Sequence, residues 1–159
     1  MNEFIDFLPP LRQPRKPVKA KVKMPDWCKQ RYQQAHEANF NKVAKAAGHY
    51  CQPNYPDFNT ANGLSKGIEQ FLLWEGWNAK GISSGGRYLN GKYIPGRTRR
   101  GAADLSATIK GKSVHFEIKI GNDTASKYQL KEQAREIKAG GQYYFVKSFE
   151  QFLNIYDTL

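Results

Sequence analysis

Residues 101–129 read GAADLSATIKGKSVHFEIKIGNDTASKYQ, and the pairing of the two strands inside this stretch decides the fold. Leu105, Ala107 and Ile109 alternate with Asp104, Ser106 and Thr108. Further on, Val114, Phe116, Ile118 and Ile120 alternate with Ser113, His115, Glu117 and Lys119. Period-two alternation marks half-buried strands, and Lys110-Gly111 between them predicts a tight turn. A two-residue hairpin pairs Leu105 with Phe116 and Ala107 with Val114, which sets Asp104 opposite Glu117. A four-residue loop gives the same register, whereas a three-residue loop turns one strand over. Facing carboxylates repel across an antiparallel pair. A hard divalent cation between them would offset that repulsion, with Lys119 alongside. The alternative at this point is a solvent-facing side of an amphipathic hairpin, where scattered charges are ordinary.

Outward from the hairpin, Gly121-Asn122-Asp123 leads into a helix from about Ser126 to Ala139, ended by Gly140-Gly141. Leu130, Ala134 and Ile137 are its expected core face. Ser126 and Gln129 have capping-box spacing, so Gln129 has a structural reading beside a functional one. Tyr143 to Val146 reads as a short buried strand, and Ser148 caps a terminal helix through Tyr156. Before the hairpin, Leu64 to Gly76 forms a helix with Leu64, Ile68, Phe71 and Leu72 on one face, capped by Thr60 or Asn62. Trp77 to Ser83 is a strand. Asn90-Gly91 between Arg87-Tyr88-Leu89 and Lys92-Tyr93-Ile94 is a strong signal for a type I′ hairpin. The loop Gly96 to Gly101 then carries Arg97, Arg99 and Arg100 just ahead of Asp104. Guanidinium forks match phosphate oxygens, so this loop is a candidate nucleic-acid contact; the alternative is a solvated loop.

Residues 1–25 hold five prolines and six basic residues, which predicts an extended basic arm. Residues 26–63 comprise a helix from Asp26, its expected N-cap, to about Ala47, then a linker from Gly48. The helix has a thin apolar pattern of Trp27, Tyr32, Ala35, Val43 and Ala46. Residues 64–159 form the main domain. The 159 residues suffice for one core, and 40% hydrophobic with 13% aromatic residues argues for a folded chain. No apolar run reaches the length of a membrane span, and no secretory signal is evident. Cys28 and Cys51 lie in no metal-ligand spacing, which fits a reduced, cytoplasmic setting; a single disulfide is the alternative. The net charge of +11 points to a polyanionic partner, nucleic acid before an anionic membrane surface.

In order, the elements give an αβββαβ core, an α/β fold with a mixed sheet flanked by helices. The motif set G-x-A-D, K-G, F-E-I-K-I-G, S-x-x-Q and G-G-x-Y-Y-F, over roughly residues 62–156, resembles the PD-(D/E)XK nuclease superfamily. Within it the resemblance is to VRR-NUC proteins and Holliday-junction resolvases, including phage-encoded ones.

The resemblance implies a restriction-endonuclease-like core and hydrolysis of DNA with Mg²⁺ or Mn²⁺. Asp104, Glu117 and the Ile118 backbone carbonyl would hold the cation. Lys119 would act on the attacking water and the phosphate, and Gln129 would position them. Relatives often carry a further metal-site glutamate early in the first core helix. Here that position is Ser65, beside Lys66; Glu69 lies one turn later and is the candidate substitute. Glu75 reads instead as a residue packed at the helix end. A branched or duplex DNA substrate and a homodimer follow by the same resemblance. Two other readings stay open: a non-catalytic basic DNA-binding module, and a sequence-specific restriction or repair endonuclease of the same fold.

Overall fold

The computed structural model describes residues 23–47, 55–82, 87–94 and 98–159. Several expectations fall outside these residues: the arm up to residue 22, the Gly48 helix stop, Cys51, Ser83 and Arg97. In chain order the elements are α1 (Asp26–Ala47), α2 (Ala61–Trp74), β1 (Asn78–Gly81), β2 (Arg87–Leu89), β3 (Lys92–Ile94), β4 (Leu105–Ile109), β5 (Lys112–Ile118), α3 (Lys127–Lys138), β6 (Gln142–Val146) and α4 (Phe149–Tyr156). The strands form a four-stranded sheet in the order β1-β4-β5-β6 and a separate β2-β3 ribbon. All pairs are antiparallel except β5 with β6, which run parallel through the α3 crossover. The molecule is therefore α/β with a mixed open sheet.

The central hairpin adopts the register read from its alternation. Leu105 faces Phe116, Ser106 faces His115 and Ala107 faces Val114. Lys110 and Gly111 both have positive φ, 50° and 79°, as a type I′ turn requires. Asn90 and Gly91 do the same in the ribbon, at 50° and 73°. Lys110 holds a conformation that asparagine tolerates better. Lys110→Asn is expected to raise stability by about 0.5 kcal/mol in urea titration; a loss would mean that the lysine makes a compensating contact.

Alternation commits each strand position to one layer. Leu105, Ala107, Ile109, Val114, Phe116 and Ile118 are buried against α2 and α4. There Phe71 meets Phe149, Phe152 and Tyr156 in near-perpendicular ring contacts at 5.7, 5.6 and 5.4 Å. Phe152 reaches Phe116 at 5.4 Å. Thr60 caps α2 through its side chain on the Gly63 N–H, and Glu75 accepts from the Tyr156 hydroxyl at the other end, 3.2 Å away.

The stripe Cys28, Tyr32 and Ala35 of α1 joins this core. Tyr32 packs on Phe58, Trp74 and Phe149, and Arg31 makes a two-pronged bridge to Asp157 at the end of α4. Two expectations for α1 need correcting. The Pro25 carbonyl accepts the first helical N–H groups, so Asp26 is the first helical residue and pairs with Lys29 rather than capping. Trp27 is exposed, and Cys28 holds the buried position.

The larger correction concerns α3. Leu130, Ala134 and Ile137 face outward, Leu130 being 50% and Ile137 56% exposed. The inward side of α3 presents Gln129, Glu132, Gln133 and Glu136. Its facing layer explains why: the second side of the sheet carries His115, Glu117 and Tyr143, whose polar atoms need partners once covered.

Candidate active site

The candidate residues meet where β4 begins and β5 ends. Asp104 sits one residue ahead of the paired ladder, and its Oδ2 accepts the Ile118 N–H at 2.9 Å. That contact places the Asp104 carboxylate beside the backbone of the residue between Glu117 and Lys119. In extended backbone a residue's N–H and C=O lean to the same side, so the Ile118 carbonyl also faces the β4 edge. Glu117 is almost fully buried. Its Oε1 accepts from Lys119 Nζ at 3.1 Å and from Gln129 Nε2, and its Oε2 accepts from the Tyr143 hydroxyl at 3.4 Å.

Burial, then the negative charge of Asp104, pushes the Glu117 carboxyl above its ordinary range, against the pull of Lys119 and Tyr143. Burial on its own pulls the Lys119 ammonium down. The hydrogen bond and charge of Glu117, with Asp123 Oδ2 at 3.4 Å, outweigh it, and the net shift is upward. Burial raises the Tyr143 phenol too, with the Glu117 and Asp104 charges adding, so the hydroxyl stays a donor.

Gln129 closes the capping box expected of it and also reaches Glu117. Its Oε1 accepts the Ser126 N–H at 2.8 Å while its own N–H donates to Ser126 Oγ, closing a capping box. Its Nε2 is left for Glu117. The helix start and the buried carboxylate are thereby one hydrogen-bonded unit.

Glu69 is not among these contacts; its Oε1 accepts the Gly81 N–H at 2.9 Å. It nevertheless shares a cleft of about 460 Å³ with Asp104, walled by Asn62, Ser65, Lys66 and Ile82. His115, which the register puts opposite Ser106, lies 3.4 Å from Glu136 and stacks near Tyr143.

Of the arginine loop, Arg99 and Arg100 dock on α3. Arg99 lies 3.3 Å from Glu132, and the Arg100 guanidinium covers the Tyr128 ring at 4.1 Å. Gly101 makes this approach feasible: its φ is 89°, and an added Cβ would lie 2.6 Å from the Tyr128 carbonyl group. Gly101→Ala is expected to cost about 2 kcal/mol in urea unfolding, since backbone cannot yield as a side-chain tip can. A cost below about 0.5 kcal/mol would show that the loop rests elsewhere.

Asp123, Glu132 and Tyr143 belong to the site region without having been singled out in the sequence. Gln129, Glu132, Gln133 and Glu136 do recur at helical core spacing, a signal for a polar inward stripe. Nothing in the sequence marks Asp123.

The donors suited to a cation are all hard oxygens: two carboxylates from adjacent strands and one carbonyl, with Glu69 across the cleft. That chemistry suits Mg²⁺ or Mn²⁺. Among the described residues no group of three or more His, Cys, Asp or Glu side chains is already drawn together as a cation site. No described helix is long and apolar enough to cross a membrane. No family model matches this chain, and neither a curated protein nor a solved structure matches it.

Proposed function

We propose that the protein is a divalent-cation-dependent endodeoxyribonuclease of restriction-endonuclease-like architecture, acting on branched or duplex DNA in the manner of PD-(D/E)XK resolvases. The observation that carries this reading is the Asp104–Ile118 contact. It joins the Asp104 carboxylate, one residue ahead of β4, to the Glu117-Ile118-Lys119 segment at the end of β5, which supports a site built from two acids and an amine. The order of elements, the Gln129 contact and the +11 charge support it.

In this reading Asp104, Glu117 and the Ile118 carbonyl would hold Mg²⁺ or Mn²⁺, and Glu69 lines the same cleft as Asp104. The cation supplies Lewis acidity toward the phosphate and eases ionisation of the attacking water. Lys119, kept cationic between Glu117 and Asp123, offers positive charge to the phosphate as charge builds there. Gln129 and Tyr143 fix the Glu117 carboxylate in one orientation. Arg97, Arg99 and Arg100 provide backbone contacts on the approach. Paired nicks in a junction would call for a homodimer.

A second reading is a binding module without chemistry, in which the Glu117–Lys119–Asp123 pairs are a structural ion cluster. Thermal melting separates the two. Saturating Mn²⁺ is expected to raise the wild-type melting temperature by about 5 °C and to leave Asp104→Asn/Glu117→Gln unmoved. A cleavage panel of four-way junction, flap, linear duplex and single strand, with Mg²⁺, Mn²⁺ or chelator, tests the activity. No shift and no cleavage would leave the binding module.

A further inference from the structure

We propose that the outward ridge of α3, formed by Lys127, Lys131, Arg135 and Lys138, is a docking surface for a nucleic-acid backbone and continues the Arg99–Arg100 contact away from the pocket. The choice of polyanion rests on the phosphodiester reading of the pocket.

The argument is one of charge segregation. The helix has four cations and two carboxylates, a mixture that on an exposed helix ordinarily pairs at i,i+4. Here both carboxylates turn inward. Glu132 is buried and engaged by Arg99 and Arg135, and Glu136 lies against His115. Among the described residues no carboxylate pairs with Lys127, Lys131 or Lys138. Lys127, Lys131 and Arg135 instead succeed one another at i,i+4, where like charges destabilise a helix. The first turn has no acidic residue and starts with Lys127, against the positive end of the helix dipole. An anionic rod along the ridge offsets these costs.

Geometry supplies the direction. Successive cations one turn apart are separated by about 6 Å, and the ridge runs about 16 Å in a straight line. The start of α3 is fixed to the candidate site, because Gln129 in the first turn donates to Glu117 from the inward side of the helix. Arg100 on Tyr128 and Arg99 on Glu132 extend the same positive surface to the loop before Asp104. A strand leaving the site along the Arg99–Arg100 loop would therefore meet further cations on α3.

The test measures binding to a fluorescein-labelled duplex by anisotropy, in EDTA, across about 50–200 mM salt. The slope of log K against log salt is expected to become shallower by about 3 in Lys127→Gln/Lys131→Gln/Lys138→Gln. It should change by less than about 1 in the charge-matched control Lys23→Gln/Lys29→Gln/Lys110→Gln, whose Lys110 marks the opposite end of the hairpin from Asp104. An unchanged slope in the α3 variant overturns the proposal, as does equal loss in both variants. A dimer by sedimentation that Leu130→Glu/Ile137→Glu dissociates, with the salt slope unaltered, gives this face to a second copy. Preferential binding to phosphatidylserine vesicles gives it to a membrane; each overturns the assignment. Wild-type cleavage is read separately with Mn²⁺. Cleavage without the slope change removes the surface and keeps the nuclease, and the slope change without cleavage does the reverse.

Discussion

Asp104→Asn is expected to lower divalent-dependent DNA cleavage about a thousandfold while binding in EDTA stays within about twofold of wild type. The substitution keeps size and removes charge. An amide oxygen can still accept the Ile118 N–H, so the β4–β5 end should hold, and circular dichroism should be unchanged. What is lost is one of the two carboxylates available to a cation, along with a charge that adds to burial in pushing Glu117 upward. Lys119→Ala should fall by a similar factor for a different reason. It leaves both acids in place and removes the ammonium 3.1 Å from Glu117 that would meet the phosphate. Cleavage retained in both variants would remove these residues from the chemistry, whatever the protein binds.

Phe71→Ala is expected to cost about 3–5 kcal/mol in urea unfolding, with little change in m-value. Phe71 is fully buried and meets three other rings at once, from two turns of α4. Collapse around the missing ring is resisted because those neighbours are themselves held. Phe149 is wedged against Tyr32 and Phe58, and the Tyr156 hydroxyl is bonded to both Trp77 and Glu75. Domains of this size have only about 5–15 kcal/mol in total, so the melting temperature should fall by about 10 °C or more. A loss under about 1 kcal/mol would mean that α2 and α4 can close over the gap.

The legible parts of the sequence were those where a local rule has one solution. The Lys110-Gly111 turn and the alternation around it allow a single register, and the ladder from Leu105 to Lys112 has it. Asn90-Gly91, Thr60, Ser126 and Ser148 each mark a turn or helix start by chemistry confined to a few residues. The orientation of α3 was not legible by the same means. Apolar periodicity assumes an apolar neighbour, and on that assumption Leu130, Ala134 and Ile137 belong inward. The neighbour is a polar strand face, so Gln129 and Glu132 go in and the apolar row goes out. Partners distant in sequence were equally out of reach. Tyr143 finds Glu117 only because β6 returns parallel to β5, and Arg100 finds Tyr128 only because Gly101 yields room.

The sheet also separates two kinds of change. Adjacent residues of β5 serve different masters: Phe116 belongs to the aromatic layer under α2 and α4, Glu117 to the hydrogen-bonded layer under α3. Substitutions on the first layer should shift how much of the population is folded, and those on the second what the folded population can do. Laboratory evolution of this chain could then gain thermal tolerance from one library and altered substrate preference from another, and recombine the two with little interference.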